Sequence, residues 1–212
     1  NVLIYAWSPL VLISFAASGH GDSLQIFLVM LALYLCAIRK NLRSVISIGL
    51  AAMSKFVFII IAPFMISALM PGKRLKYVIA LLSVMTVLYL PYVGAGKGLF
   101  STLFHFGTQY HFNDSVHFLI FCLSIGSPLV SKIITVAIFG AVLLYLYKKH
   151  LNTHFVGQDI NRNDSIIRFA FLSIGAFLIL TPTLHPWYLT WIVPFLCFNK
   201  NRAWLILTGT VI

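Results

Sequence analysis

Acidic residues are the scarcest feature of this sequence: four aspartates and no glutamate stand against 15 lysines and arginines in 212 residues. Only 9% of the residues are charged, whereas a soluble domain carries about 25%. With 60% hydrophobic residues the chain cannot cover a water-facing surface, so lipid must be its solvent. The shortage of charge therefore excludes a soluble domain. Six or seven apolar segments, at about 20 residues for each helical crossing, predict an all-α polytopic transmembrane helix bundle.

Most of the positive charge lies in short connections between apolar runs. In a soluble protein this charge would suggest nucleic acid as a partner, but here it follows the positive-inside pattern of membrane proteins. We therefore expect membrane lipids and no nucleic acid as partners. The pattern predicts that four loops are cytoplasmic: Arg39–Arg43, Lys73–Lys76, Lys148–His150 and Lys200–Arg202.

Both ends of the sequence lie in apolar runs, with Asn1 opening directly into one and Ile212 falling within another. We expect a single transmembrane domain over residues 1–212 that is cut from a longer protein at both ends. The three cysteines are far apart in apolar runs and are interpreted as small hydrophobic residues.

The stretch Ser44–Met70 has a basic loop on each side. A single helix of this length would reach about 40 Å and would place its two flanks on opposite faces of the membrane. A broken or re-entrant helix pair, with its break near Lys55 or Pro63, keeps both flanks on the cytoplasmic face. A long tilted helix is the alternative.

If this segment is re-entrant, three polar clusters fall on the non-cytoplasmic face: one around His20 and Asp22, one within residues 105–117 and one around His185. Loops at one end of a helix bundle are a usual place for a binding site. Polar side chains at membrane depth are expensive, so each cluster needs a reason. The candidate site residues are His20 and Asp22 as catalytic residues, and Lys55, His111, Asn113, Asp114, His185, Trp187 and Tyr188 as substrate-binding residues.

Each candidate also has a structural interpretation. Asp22 and Asp114 each precede an apolar run and could cap a helix. Lys55 could extend to an interface, or it could meet Asp22, Asp114 or a lipid phosphate. Trp187 and Tyr188, together with Trp191, are ordinary interfacial anchors, although aromatic rings also bind sugars. The histidines at positions 105, 111 and 117 recur every six residues, which matches no metal-ligand spacing, so no metal is expected.

Four stretches in order resemble bacterial glycosyltransferases that use polyprenyl-phosphate mannose. The stretches YAWSPLVL (5–12) and SGHGD (18–22) resemble the family pattern nPLvl…e…gHnD. GLAAMSK (49–55) resembles GlaxxtK, and HPWYLTWIVP (185–194) resembles H-x-WYllWllP. The likeness covers most of the chain, and the acidic residue often found between the first two stretches is replaced here, within Ile13–Phe15.

This resemblance implies the GT-C type of helix bundle and a mannosyltransferase-like enzyme in the cell (cytoplasmic or inner) membrane, active on the extracytoplasmic face. It implies a polyprenyl-phosphate sugar donor, a glycan or lipid acceptor and no cofactor. It also implies that His20, Asp22, Lys55 and His185 line the cavity, with the main catalytic aspartate upstream of Asn1. A lipid-linked glycan transporter or flippase, or a glycan polymerase or ligase, is the alternative.

Overall fold

The computed structural model describes residues 1–68, 71–155 and 160–211, and these residues form helices joined by short connections. Twelve α-helices lie within the described residues: α1 Leu3–Ala6, α2 Pro9–Val11, α3 Asp22–Ala37, α4 Asn41–Ser54, α5 Ala62–Ala68, α6 Arg74–Tyr89, α7 Gly98–Gln109, α8 Val116–Leu123, α9 Pro128–Phe155, α10 Ile160–Leu180, α11 Val193–Leu196 and α12 Arg202–Thr210. A π-helix spans Leu12–Ala17, and 3₁₀-helices span Phe56–Ile61, Pro71–Lys73, Leu90–Ala95 and Pro186–Trp191. The predicted all-α bundle is confirmed.

Three helical segments in the described ranges are long and apolar enough to cross a bilayer: Arg74–Ala95, Pro128–His150 and Asn163–Leu180. Two further apolar segments are shorter, Asp22–Ala37 and Phe56–Ala68. These are fewer than the six or seven apolar segments counted in the sequence, because breaks divide several of the apolar runs into shorter helices. α3, for example, has 16 residues and reaches about 24 Å, less than the roughly 30 Å hydrocarbon core.

Helices α3 and α4 form a close antiparallel hairpin through small polar residues. The Ser44 hydroxyl donates to the Ala32 carbonyl at 2.6 Å, and the Ser47 hydroxyl donates to the Leu28 carbonyl at 2.8 Å. Small hydroxyl side chains let helix backbones approach closely in lipid and satisfy their own polarity there. This hairpin fixes the start of α3, where Asp22 lies, relative to the end of α4, where Lys55 follows.

The chain turns back after α4, as the broken or re-entrant pair predicts. Ser44 in the first turn of α4 lies 3.5 Å from the Met65 sulfur in α5, measured from the serine hydroxyl oxygen. One straight helix would separate residues 21 positions apart by about 31 Å. The break occurs at Lys55, whose backbone is extended (φ −156°, ψ 116°), and α5 then carries Pro63 in its first turn, where proline is tolerated.

The turn that follows α10 enters the core instead of lying at the membrane boundary. Trp191, Ile192 and Phe195 are each at most 2% exposed and pack with Phe58 and Ile61 of the re-entrant segment. This packing brings the Pro186–Trp191 turn against the break at Lys55.

Candidate functional site

Asp22 is the residue around which the other side chains of the site are arranged. It is 7% exposed and is the first residue of α3. Its Oδ1 atom accepts three side-chain hydrogen bonds: from Gln25 Nε2 at 2.6 Å, Lys55 Nζ at 2.6 Å and Trp191 Nε1 at 2.8 Å. All its described donors are side chains, so its carboxylate ties three elements together instead of capping its own helix.

Lys55 leaves the helix break toward this carboxylate. The extended backbone at Lys55 ends α4 and points the side chain across the hairpin to Asp22. Its ammonium group also lies over two aromatic rings, 4.3 Å from the Tyr188 ring centre and 4.4 Å from that of Trp191. Aromatic faces and a carboxylate stabilise a cation that has lost much of its water. The side chain keeps 29% of its surface exposed, so the cation is paired but accessible.

A column of stacked rings lies beside the ion pair. The rings of His20 and Trp187 are stacked with centres 4.1 Å apart, and those of Trp187 and His185 are stacked at 4.4 Å. Phe112 extends the column, with its ring centre 5.2 Å from that of His185. Trp187 is therefore held between two histidines that lie 165 positions apart in the chain. A row of partly exposed ring edges and faces of this kind suits a sugar.

His185 is partly buried, lies outside the long apolar helices and has Lys55 and His20 close by. Burial lowers the pKa of His185 from its ordinary value of 6.5, and the nearby charges of Lys55 and His20 lower it further. Each of these effects disfavours a second cation at this position, so the neutral ring is the stable form at neutral pH.

A cavity of about 580 Å³ opens against the ion pair. Lys55, Tyr188 and Trp191 form its polar end, while aliphatic and aromatic side chains from α7, α9 and α10 form most of the wall. Lys132 of α9 also lines it, and its ammonium group donates to the Gly107 carbonyl at 2.9 Å and to that of Thr108, in the last turn of α7. The cavity has the volume and the mainly apolar lining of a small-molecule site.

The structure divides the predicted site residues between two clusters. It brings six together around Asp22 and Trp187, namely His20, Asp22, Lys55, His185, Trp187 and Tyr188. His111, Asn113 and Asp114 belong to a second cluster in the connection between α7 and α8. Asn113 adopts the left-handed conformation (φ 52°) at the turn of that connection, and Asp114 bonds His117 instead of capping α8.

The two clusters are linked through the backbone of Phe112. Its N–H donates to the Pro182 carbonyl at 3.1 Å, and its carbonyl accepts from the Leu184 N–H at 2.8 Å. This short bridge places the α7–α8 connection directly beside the loop that carries His185.

Three residues that line the cluster around Asp22 and Trp187 were not among the candidates predicted from the sequence. Gln25 lies one helical turn after Asp22, a spacing that could have suggested the contact. Trp191 was interpreted as an interfacial anchor, but it is 2% exposed and its indole N–H reaches Asp22. The anchor interpretation was wrong for Trp191, because the turn it belongs to folds into the core. Phe112 carried no signal in the sequence.

A further triad, formed by His111, Asp114 and His117, also went unrecognised. The Asp114 carboxylate Oδ2 lies 2.7 Å from His117 Nδ1 and 3.7 Å from His111 Nδ1. The six-residue recurrence of histidines gave no indication of it, because residues 110–115 are not helical and fold back on α8.

Comparison with protein families gives a match to the first third of the chain. Residues 1–71 match the MptA_B family, described as alpha-(1->6)-mannopyranosyltransferase, N-terminal domain. This region holds the first part of the site, including His20, Asp22 and Lys55. The match supports a mannose-transferring glycosyltransferase. No curated protein and no solved structure matches the chain.

Proposed function

We propose that this chain transfers mannose from a polyprenyl-phosphate donor to a glycan or lipid acceptor at the extracytoplasmic face, as part of a GT-C type membrane enzyme. The observation that carries the proposal is the Lys55–Asp22 pair, which lies at a helix break and faces an apolar cavity of about 580 Å³. A phosphate needs a cation, and a polyprenyl chain needs an apolar wall. The family match over residues 1–71 supports mannose as the sugar.

Lys55 has the role of binding the donor's phosphate. In the transfer, an acceptor hydroxyl attacks the anomeric carbon, and the bond from that carbon to the phosphate oxygen breaks. The electron pair of that bond stays on the lipid phosphate. A cation fixed beside this oxygen stabilises the charge as it develops and needs no reorganisation during the reaction.

Asp22 holds Lys55 in position. Its Oδ1 accepts from the Lys55 ammonium at 2.6 Å, so the lysine cannot swing away from the cavity without losing this short contact, and the Trp191 indole N–H holds the same carboxylate oxygen in place. Asp22 is a positioning residue in this proposal, since its Oδ1 already accepts from three side chains, and the proton of the attacking hydroxyl goes to another carboxylate, the main catalytic aspartate that the family resemblance implies. His20, two residues before Asp22 and stacked on Trp187, is placed to bind an acceptor hydroxyl, and the rings of Trp187, Tyr188 and His185 form the sugar platform.

Replacement of Lys55 by methionine tests the proposal. The substitution keeps most of the side-chain length and removes the charge. In a mannosyl-transfer assay on membranes with a polyprenyl-phosphate mannose donor, we expect the transfer rate to fall on the order of 100-fold or more. Lys97→Met is the matched control, because Lys97 is exposed in the 90–97 connection and away from the cavity, so its activity should equal that of the wild type.

A second variant separates phosphate binding from loss of the ion pair. Lys55→Met leaves Asp22 without its cation, whereas the double variant Lys55→Met, Asp22→Asn removes both charges together. If Lys55 binds the phosphate, the double variant stays as weak toward the donor as Lys55→Met. Full transfer activity in Lys55→Met, or recovery of donor use in the double variant, would show that the lysine only balances Asp22.

A further inference from the structure

We propose that His111, Asp114 and His117 form a binding site for a divalent metal ion of the zinc class in the connection between α7 and α8. This site is separate from the Lys55–Asp22 pair and does not depend on the proposed transfer reaction. Two imidazoles and one carboxylate are a donor set that Zn²⁺ accepts, with a fourth position left for water.

The spacing of the ligand atoms fits a tetrahedral ion. Nitrogen and oxygen ligands about 2.0–2.1 Å from zinc lie about 3.4 Å from one another. The measured distances from Asp114 Oδ2 lie on either side of this value, 2.7 Å to His117 Nδ1 and 3.7 Å to His111 Nδ1. All three ligand atoms lie within 4.8 Å of one another, so shifts of a few tenths of an ångström to about an ångström would seat the ion.

The local backbone explains why these three side chains converge. Asn113 takes the left-handed conformation (φ 52°), which asparagine tolerates better than most residues. The turn reverses the chain before α8 begins at Val116, so His111 comes to lie against the first turn of that helix, with its ring centre 5.0 Å from that of His117.

The three side chains differ in exposure, which increases from His117 through Asp114 to His111. His117 would therefore be a fixed inner ligand, and the ion would be open to solvent on the side of His111. The His117 side chain is fully buried, and its Nε2 has no hydrogen-bond partner among the described residues, so Nδ1 is the atom that anchors the ring. The side chains of Asp114 and His111 are 16% and 32% exposed. An ion can therefore enter from solvent and keep a water ligand.

A bound ion would also fix the surroundings of His185. Phe112 lies between the ligands in the chain, and its backbone bonds on both sides to the 182–184 segment just before His185. Cross-linking of His111 to α8 by a metal would restrain this bridge and the ring column next to it.

Metal retention by the purified membrane protein tests the proposal directly. The protein is prepared with a streptavidin-binding tag, since a polyhistidine tag would bind zinc itself. It is then loaded with Zn²⁺, desalted and measured by inductively coupled plasma mass spectrometry. We expect about one zinc per chain in the wild type, in line with a single three-ligand site. We also expect visible absorption of a tetrahedral Co²⁺ complex when cobalt replaces zinc.

The decisive variants are His111→Ala and Asp114→Asn, because both residues are partly exposed and the asparagine oxygen can still accept a hydrogen bond from His117. Each should lose the retained zinc and the rise in unfolding temperature that zinc gives the wild type. His105→Ala, in α7 and outside the triad, should keep both. Loss of zinc from the wild type on desalting, or equal retention in His111→Ala, would overturn the proposal and leave Asp114 and His117 as a simple hydrogen-bonded pair.

Discussion

At the scale of single residues, the position of Lys55 is decided by the cost of its charge. An ammonium group in the membrane-spanning part of a bundle needs an anion or a polarisable surface close by. The nearest acid in space is Asp22, 33 positions earlier in the chain, and two aromatic rings lie within 4.4 Å. The lysine is thus held without being covered, which is the condition for meeting a substrate phosphate.

A double-mutant cycle should show that the pair is coupled. Asp22→Asn leaves Lys55 and the Trp191 indole N–H without their charged acceptor, so we expect a loss of about 1–3 kcal/mol in the free energy of unfolding. The double variant Asp22→Asn, Lys55→Met should be less destabilised than Asp22→Asn alone, because it leaves no unpaired charge. Thermal unfolding in detergent, followed by size-exclusion chromatography, measures the difference. Strict additivity of the two single changes would argue against direct coupling.

His185 predicts a pH dependence of stability. Because the pKa of His185 is lower in the folded than in the unfolded protein, the unfolded chain binds more protons at pH values between the two. The stability that a neutral His185 provides is therefore complete above its ordinary value of 6.5 and is lost as the pH falls below it.

The difference in unfolding temperature between the wild type and His185→Gln, measured from pH 7.5 to pH 5, isolates this contribution. Glutamine does not titrate, so the wild type should lose its advantage over the variant as the pH falls. A difference that stays constant over this range would mean that His185 has the same pKa in the folded and unfolded states.

At the scale of elements, the break after α4 organises the site. α4 and α5 are each too short to cross the bilayer, and their packing is antiparallel. The turn between them carries Lys55 into the bundle, where exposed backbone at a helix break is tolerated because protein surrounds it. The 186–191 turn packs against the same break, so two irregular elements from distant parts of the chain form the polar end of the cavity.

Cross-linking tests this hairpin. In a background lacking Cys36, Cys122 and Cys197, the pair Ser44→Cys and Met65→Cys should form a disulfide under mild oxidation, because α4 and α5 lie side by side here, with the Ser44 hydroxyl oxygen 3.5 Å from the Met65 sulfur. The control pair Ser44→Cys and Ser54→Cys lies ten positions apart on the rigid helix α4, about 15 Å, and should not react. Without a cross-link in the first pair, the two halves would not run back along each other.

At the scale of the whole molecule, the distribution of charge predicts how the bundle is oriented. The basic loops predict that the site residues lie on the non-cytoplasmic face. The helix Pro128–His150 is long enough to cross the membrane between the α7–α8 region and its own basic end, Lys148–His150, which the structure places within α9 and not in a loop.

Single-cysteine labelling in intact cells measures this orientation. Ser101→Cys in α7 and Lys149→Cys after the crossing are both exposed positions. A membrane-impermeant maleimide should react with the first from outside and with the second only after the membrane is permeabilised. Labelling of both from the same side would contradict the crossing between them, whereas labelling of Lys149→Cys alone from outside would reverse the predicted orientation.

The amino-acid sequence by itself determined the class of fold and marked most of the residues that the structure brings together around Asp22. Composition is a sum over residues, so the need for a lipid solvent follows from counting. The cost of a lysine in an apolar run marks Lys55 wherever the chain folds. The existence of a break followed as well, because basic loops flank the segment on both sides, but the sequence left its position open between Lys55 and Pro63.

Only the tertiary structure decided which residues of the site contact one another. Asp22 and Trp191 are 169 positions apart, and no local pattern specifies that the indole of one reaches the carboxylate of the other. The same holds for Phe112, which meets the His185 loop through backbone hydrogen bonds that any residue with an N–H could make. The grouping of His111 with His117 depends on a left-handed turn at Asn113, since helical periodicity would have kept the two apart. Contacts of this kind arise from how the helices pack, and packing in lipid depends on shape complementarity between surfaces that are distant in sequence.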